Sequence, residues 1–191
     1  MLTTIEVRWF YRGTIPKEVE NWFGQDILGK HPSPPEERED WYLYSPWCDR
    51  LGIKMRGGNL EIKWRLAELG VQRFGDGLEG KTEKWLKWIS ENPKTNKIIP
   101  ANVGGKALWI GVRKERSQRK YECCTMELTK LIVQNETWWS LAFEASGEEA
   151  QQMNNLQAIA SEIFKNYPGM ALQIHDSFAY PKWISLTVGK N

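Results

Sequence analysis

The sequence predicts an α+β fold: a closed antiparallel barrel of eight strands, a tunnel, with helices packed on its outside. Residues 1–191 form a single domain in this reading. Three observations predict it. Several segments alternate apolar and charged residues with the period of a half-buried strand. Three other segments repeat apolar residues at helical spacing, and each needs an apolar sheet face to cover. The charged faces of separate strands carry a similar mix of Lys, Arg and Glu, which a curled sheet would bring together in a lumen.

The elements follow in order. TTIEVRWFY sets Ile5, Val7, Trp9 and Tyr11 on one face and Thr4, Glu6, Arg8 and Phe10 on the other, a strand. IPKEVENWF reads as a helix, with Pro16 in its first turn and Val19, Trp22 and Phe23 on one face. GKHPSPPEERED is too rich in proline for helix or central strand and reads as a loop. DWYLYSPW is a strand ending at Pro46, and LGIKMR and NLEIKWRLAEL form a hairpin through Gly57, Gly58 and Asn59. GKTEKWLKWISEN reads as an amphipathic helix with Trp85, Trp88 and Ile89 on one stripe. KALWIGVRKERSQRKYE, TMELTKLIVQ and TWWSLAFEASG are three more strands of an antiparallel meander. EEAQQMNNLQAIASEIFKNYPG is a helix with Met153, Leu156, Ile159, Ala160 and Ile163 in register, closed by Pro168-Gly169. MALQIHDSFAY supplies a final strand.

Composition bounds the function. A chain of 191 residues, 41% apolar, is long enough for one real core. The net charge of +2 gives no strong overall field, so a basic site must come from local arrangement. Cys48, Cys123 and Cys124 have neither metal spacing nor an even disulfide set, and His31 and His175 are isolated. The first residues contain no apolar signal region, and no run approaches the ~20 apolar residues of a membrane span. The expectation is a cytoplasmic protein without a membrane partner. Of eleven Trp, those at 9, 64, 85 and 88 are expected between sheet and helices. Trp47, Trp88, Trp138 and Trp139 offer the alternative of an exposed patch.

The charged strand faces have two readings. In the hairpin, Lys54 and Arg56 share a face with Glu61, Lys63 and Arg65, opposite Ile53, Met55, Ile62 and Trp64. This is either a solvated sheet surface or the lining of a lumen. The other strands repeat the mixture with Glu6, Arg8, Lys114, Arg116, Glu127 and Glu144, and the helices need the apolar face, which favours a lumen. Unpaired charges enclosed in a dry lumen are costly, and water with a polyanion relieves that cost. Lys and Arg neutralise phosphate oxygens. The carboxylates suggest a divalent cation between protein and phosphate, as Mg²⁺ often binds.

The segments IEVRW, DWYLYSPWCDRLGIKMRGGNLEIKWR, VRKER, MELT and FEASGE, in this order between Thr4 and Glu148, resemble the motifs of the CYTH group, the triphosphate tunnel metalloenzymes. The resemblance implies an eight-stranded tunnel, hydrolysis of a triphosphate, and Mg²⁺ or Mn²⁺ in the tunnel. It implies that Arg8, Lys54, Arg56, Lys63, Arg65, Lys114 and Arg116 hold substrate, with Lys182 as a late basic residue. Alternation alone leaves the direction of Lys114 and Arg116 open, because Ile110 and Val112 share their face. It implies that Glu6, Glu127 and Glu144 hold metal, and that Glu6 and Glu61 are catalytic, with Glu61 or another carboxylate orienting the attacking water. The chain departs from the family at three positions. The opening Glu-x-Glu-x-Lys is Thr4-Ile5-Glu6-Val7-Arg8 here, and Thr129 stands where a second acidic residue is common. Arg stays protonated, so Arg8 binds phosphate but is a poor general base.

Two functions follow as expectations. One is a metal-dependent phosphohydrolase acting on tripolyphosphate or a nucleoside or other organic triphosphate. The other is a catalytically degenerate tunnel that binds a phosphorylated ligand or partner protein without turnover. Basic residues gathered inside a lumen argue against nucleic acid as a partner. Monomer and homodimer are both compatible with the sequence.

Overall fold

A computed structural model describes residues 1–25, 32–90 and 108–188. Eight strands appear among them: β1 (Leu2–Arg12), β2 (Glu36–Leu43), β3 (Leu51–Arg56), β4 (Asn59–Gly75), β5 (Leu78–Ile89), β6 (Trp109–Lys120), β7 (Cys124–Val133) and β8 (Glu136–Ala145). Three α-helices join them: α1 (Lys17–Gly24), α2 (Gln152–Phe164) and α3 (Tyr180–Val188). The strands close into an antiparallel barrel in the order β1-β5-β4-β3-β2-β6-β7-β8, so every strand has a partner on both sides around the barrel wall. Gly57 and Gly58 carry the positive φ of the β3–β4 turn, and Gln134 and Asn135 do so between β7 and β8.

The strand alternation sorts residues cleanly between outside and inside. Ile5, Val7 and Trp9 point outward, as do Met126 and Leu128 on β7 and Leu141 and Phe143 on β8. Against them pack Val19, Trp22 and Phe23 of α1 and Leu156, Ala160, Ile163 and Phe164 of α2. This outer core covers one side of the barrel. The opposite side has no helix over it among the described residues, and Trp64 and Trp88 are 57% and 43% exposed there. Trp47 is also exposed, whereas Trp139 is buried under the helical side. Glycine is required at position 80, where any Cβ would sit 2.4 Å from Val7 and 2.5 Å from Trp9. That close approach lets the Trp9 indole donate to the Glu79 carbonyl oxygen at 2.8 Å.

Three sequence expectations are corrected. Residues 82–89, expected as a helix, are the strand β5. Lys, Glu and Leu favour a helix locally, but β5 gains backbone partners on both edges, from β1 and from β4, and the ladder overrides propensity. The tail of that expected helix lies outside the described residues. Glu36–Asp40, expected as loop, already belong to β2, where they pair with β6. The segment 170–180 forms no strand. It makes single bridges from Leu172 to Leu78 and from Ser177 to Trp9, then turns into α3. Eight strands and three helices were the expected numbers, but one expected helix is a strand and the expected last strand leads into a helix.

That last segment shapes the lumen. β1 pairs with β5 only from Leu2 to Val7, because β4 and β5 run on together as a bulged two-stranded ribbon. Residues 172–178 fill the gap between ribbon and β1 and deliver α3 to the end of the barrel. There Trp183 and Ile184 bury against Phe10, Tyr42, Ile110, Val112, Leu131 and Val133. Phe10 stacks on both Phe178 and Trp183, with ring centres 5.4 and 4.9 Å apart. The tunnel is therefore blind: apolar and plugged at one end, charged toward the other. No helix among the described residues is long and apolar enough to cross a membrane.

Candidate functional site

The charged part of the lumen is a cavity of about 260 Å³. Six consecutive strands each send cations into it: Arg8 from β1, Arg38 from β2, Lys54 and Arg56 from β3, Lys63 from β4, Lys87 from β5, Lys114 and Arg116 from β6. Four carboxylates accompany these eight cations, Glu6, Glu61, Glu127 and Glu144. Tyr180 and Pro181, at the start of α3, close the inner end. Gly52 of β3 leaves room for this, since a Cβ there would meet Pro181 at 3.3 Å.

Each carboxylate is tied to cations. Arg8 donates to Glu127 at 2.8 Å and to the Ser140 hydroxyl at 3.1 Å. Arg116 reaches the other Glu127 oxygen at 3.3 Å. Burial works against ionising Glu127, but Arg8 and Arg116 outweigh it and hold the carboxyl far below the usual range. Glu61 lies between Lys54 at 3.1 Å and Arg56 at 3.2 Å. Lys63 pairs with Glu6 and lies 3.7 Å from Glu144. Beneath them Asp40, wholly buried, takes two hydrogen bonds from Arg56 and an ion pair from Lys114 at 3.1 Å. Burial opposes its charge too, and Lys114 and Arg56 keep it ionised.

The cations outnumber their partners. Burial, followed by the neighbouring charges of Arg56 and Lys114, pushes Lys54 down to about 7. Burial likewise pushes Lys114 down to about 7 against the pull of Asp40. Lys114 donates to the Tyr42 hydroxyl at 2.6 Å and sits 3.7 Å from the centre of the Tyr180 ring, a cation–π contact. The buried Nε–H of Arg116 has no acceptor. An anion entering the cavity would supply the missing negative charge.

Most of the residues singled out from sequence converge here: Glu6, Arg8, Lys54, Arg56, Glu61, Lys63, Lys114, Arg116, Glu127 and Glu144 all line the cavity. The open direction of Lys114 is inward, because Ile110 and Val112 on its face belong to the plugged end of the same interior. Two do not line it. Arg65 shares the face of Lys63 but is held nearer the plug, by Glu83 at 2.7 Å, Asp49 at 2.9 Å and Glu68 at 2.8 Å. Lys182 lies on the exposed side of α3, the side turned from Trp183. Sequence reasoning missed Arg38, Asp40, Tyr42 and Lys87. Their signal was alternation: Arg38, Asp40 and Tyr42 in β2, and Glu83, Trp85 and Lys87 in β5. The loop and helix readings hide Arg38 and Lys87, whereas Asp40 and Tyr42 stand on the strand read from DWYLYSPW, whose inward face the sequence leaves unassigned.

Two of the three carboxylates that the resemblance assigns to Mg²⁺ or Mn²⁺, Glu6 and Glu127, do not fit such an ion, and Lys63 stands 3.7 Å from the third, Glu144. Such an ion wants one or two free carboxylates beside the substrate oxygens. Glu127 is saturated by Arg8 and Arg116, and the Thr129 hydroxyl donates to it at 3.1 Å. Thr4 lies 3.3 Å from Glu6 as a donor. Among the described residues no three His, Cys, Asp or Glu side chains come together to hold an ion.

By sequence, no family profile and no curated protein matches the chain. Solved structures do. The PH1819 protein of Pyrococcus horikoshii OT3 is similar with a TM-score of 0.54 and 12% identity, over 98% of this chain and 99% of that one. A conserved hypothetical protein of Pyrococcus furiosus is similar with a TM-score of 0.53 and 14% identity, over 94% and 98%. A weaker likeness runs to the Pct1 RNA triphosphatase of S. pombe, with a TM-score of 0.49 and 12% identity over 87% and 82%. At these identities the two Pyrococcus structures show a shared fold over the full length and nothing finer.

Proposed function

We propose that the chain binds a linear phosphoryl chain, tripolyphosphate or the triphosphate group of an organic triphosphate, inside the blind cavity. The observation that carries this reading is the convergence of eight cations from six consecutive strands on about 260 Å³. That volume lies below the ~300–1,000 Å³ usual for drug-sized ligands, which suits a compact anion. Arg56 and Arg116 present planar donors to phosphate oxygens, and Lys54, Lys63, Lys87 and Lys114 act as point charges around them. The aromatic plug behind Tyr180 excludes water from the inner end, which strengthens each of these interactions. Calorimetric titration with tripolyphosphate tests the reading. Saturable one-to-one binding is expected, and no heat of binding at low salt would remove it.

Hydrolysis of the bound triphosphate is a second reading, favoured by one observation. Burial lowers Lys54 and Lys114 to about 7, so groups able to exchange a proton at neutral pH line the cavity. Phosphate release from tripolyphosphate, with and without added Mn²⁺, separates turnover from retention.

A further inference from the structure

Glu6 and Glu144 stand directly opposite each other on the paired strands β1 and β8. Two facing carboxylates in a half-buried site repel, and a cation between them relieves it. Here that cation belongs to the chain. Lys63 starts on β4, which is not a neighbour of β1 in the barrel, and crosses the width of β5 to reach both carboxylates. Trp85 of β5 lies along its path, with Lys63 Nζ 6.0 Å from the ring centre. The ammonium occupies the space between the two carboxylates, paired with Glu6 and 3.7 Å from Glu144.

We infer that Lys63 is a built-in substitute for a metal ion, so that the cavity holds its phosphoryl chain without Mg²⁺ or Mn²⁺. The inference rests on the cavity being a phosphate site, as proposed above. A divalent ion entering between Glu6 and Glu144 must first evict Lys63. Its direct cross-strand partner on β5 is Lys87, so an ammonium pushed back toward β5 meets a like charge. The substitutions around the site point the same way. Thr4 and Thr129 offer hydroxyl donors to Glu6 and Glu127, so these two carboxylates are already satisfied by protein hydrogen bonds and by ammonium or guanidinium groups, while Glu144 has Lys63 at 3.7 Å. The cations lining the cavity then supply the neutralisation of a triphosphate that metal would otherwise provide.

Two measurements test it. Mn²⁺ is titrated against the protein alone and followed by electron paramagnetic resonance, for the wild type and for Lys63→Ala. Lys63→Met, which keeps the stem over Trp85, replaces alanine if that variant does not fold. The variant is expected to bind Mn²⁺ about tenfold tighter than the wild type or better, a gain of at least ~1.4 kcal/mol. Equal Mn²⁺ affinity in both proteins would overturn the inference. Tripolyphosphate is then titrated calorimetrically into the wild type in EDTA and in Mn²⁺. Saturation in EDTA supports the inference, and saturation only after Mn²⁺ is added overturns it. If tripolyphosphate binds under neither condition, the phosphate reading is gone and with it a cavity that works without metal. The Mn²⁺ titration would still report whether Lys63 holds the metal position.

Discussion

The two ends of the barrel interior are lined by the same strands and differ completely. On β1 the inward positions run Thr4, Glu6, Arg8 and then Phe10; on β6 they run Arg116, Lys114, Val112 and Ile110. The polar half is a charged cavity, and the apolar half is a second hydrophobic core filled by Trp183 and Ile184 of α3. The difference teaches that a barrel interior needs filling in both halves, by side chains in one and by a charged network in the other. The apolar half is complete within the chain. The charged half sets eight cations against four lining carboxylates and the buried Asp40, an excess of positive charge that an anion would balance.

If this division is right, its two halves respond to different probes. Trp183→Ala removes the centre of the plug, a side chain with no solvent exposure. It is expected to cost about 3–5 kcal/mol of stability, measured by denaturant unfolding. A loss under 1 kcal/mol would mean that α3 rests on the barrel without filling it. Next in size, Arg56→Ala is expected to weaken tripolyphosphate binding by about 1.5–3 kcal/mol in calorimetry. Unchanged affinity would place the ligand outside the cavity.

The titration of the two lysines sharpens the contrast further. Lys54 and Lys114 fall to about 7 in the folded chain from an ordinary value of 10.5. Between those values the unfolded chain holds protons that the folded chain has released, so ligand-free stability rises with pH across that window. Phosphate binding needs the ammonium forms, so affinity falls as pH climbs above about 7, by at most about tenfold per unit for each lysine. Binding above pH 7 should take up protons, seen as a buffer-dependent heat. A heat that is independent of buffer would show that neither lysine meets the ligand. The smallest effect is expected on the outer wall, away from both halves. Trp64→Ser at an exposed position should change stability by only about 0.5 kcal/mol and leave tripolyphosphate affinity alone. A loss of affinity there would break the separation between lumen and outer surface.

The legibility of the site followed the legibility of the strands. Where period-two alternation was read, in β1, β3, β4 and β6 to β8, the inward residues came out correctly: Glu6, Arg8, Lys54, Lys63, Lys114 and Glu127 all line the cavity. Where proline or helix-forming residues masked it, at the start of β2 and in β5, Arg38 and Lys87 were lost, and Asp40 was lost because the inward face of its strand stayed unassigned. Arg65 shows the limit of alternation. A strand pattern tells which face a residue joins, but not how far along the lumen it lies or which partner captures it. Asp49 and Glu83 hold Arg65 away from the cavity, and neither is near it in sequence.

The sequence by itself determined the alternating faces of β1, β3, β4 and β6 to β8 and the helices α1 and α2, because these depend on local periodicity and on the need to bury apolar faces. Only the tertiary structure decided that the tunnel is blind, that residues 82–89 form a strand, and that Lys63 stands between Glu6 and Glu144. Each of these depends on partners brought together across many residues, β1 and β4 flanking β5, α3 entering the barrel end, β4 reaching over β5 to β1. No local pattern encodes such contacts, since their free energy exists only once the barrel has closed.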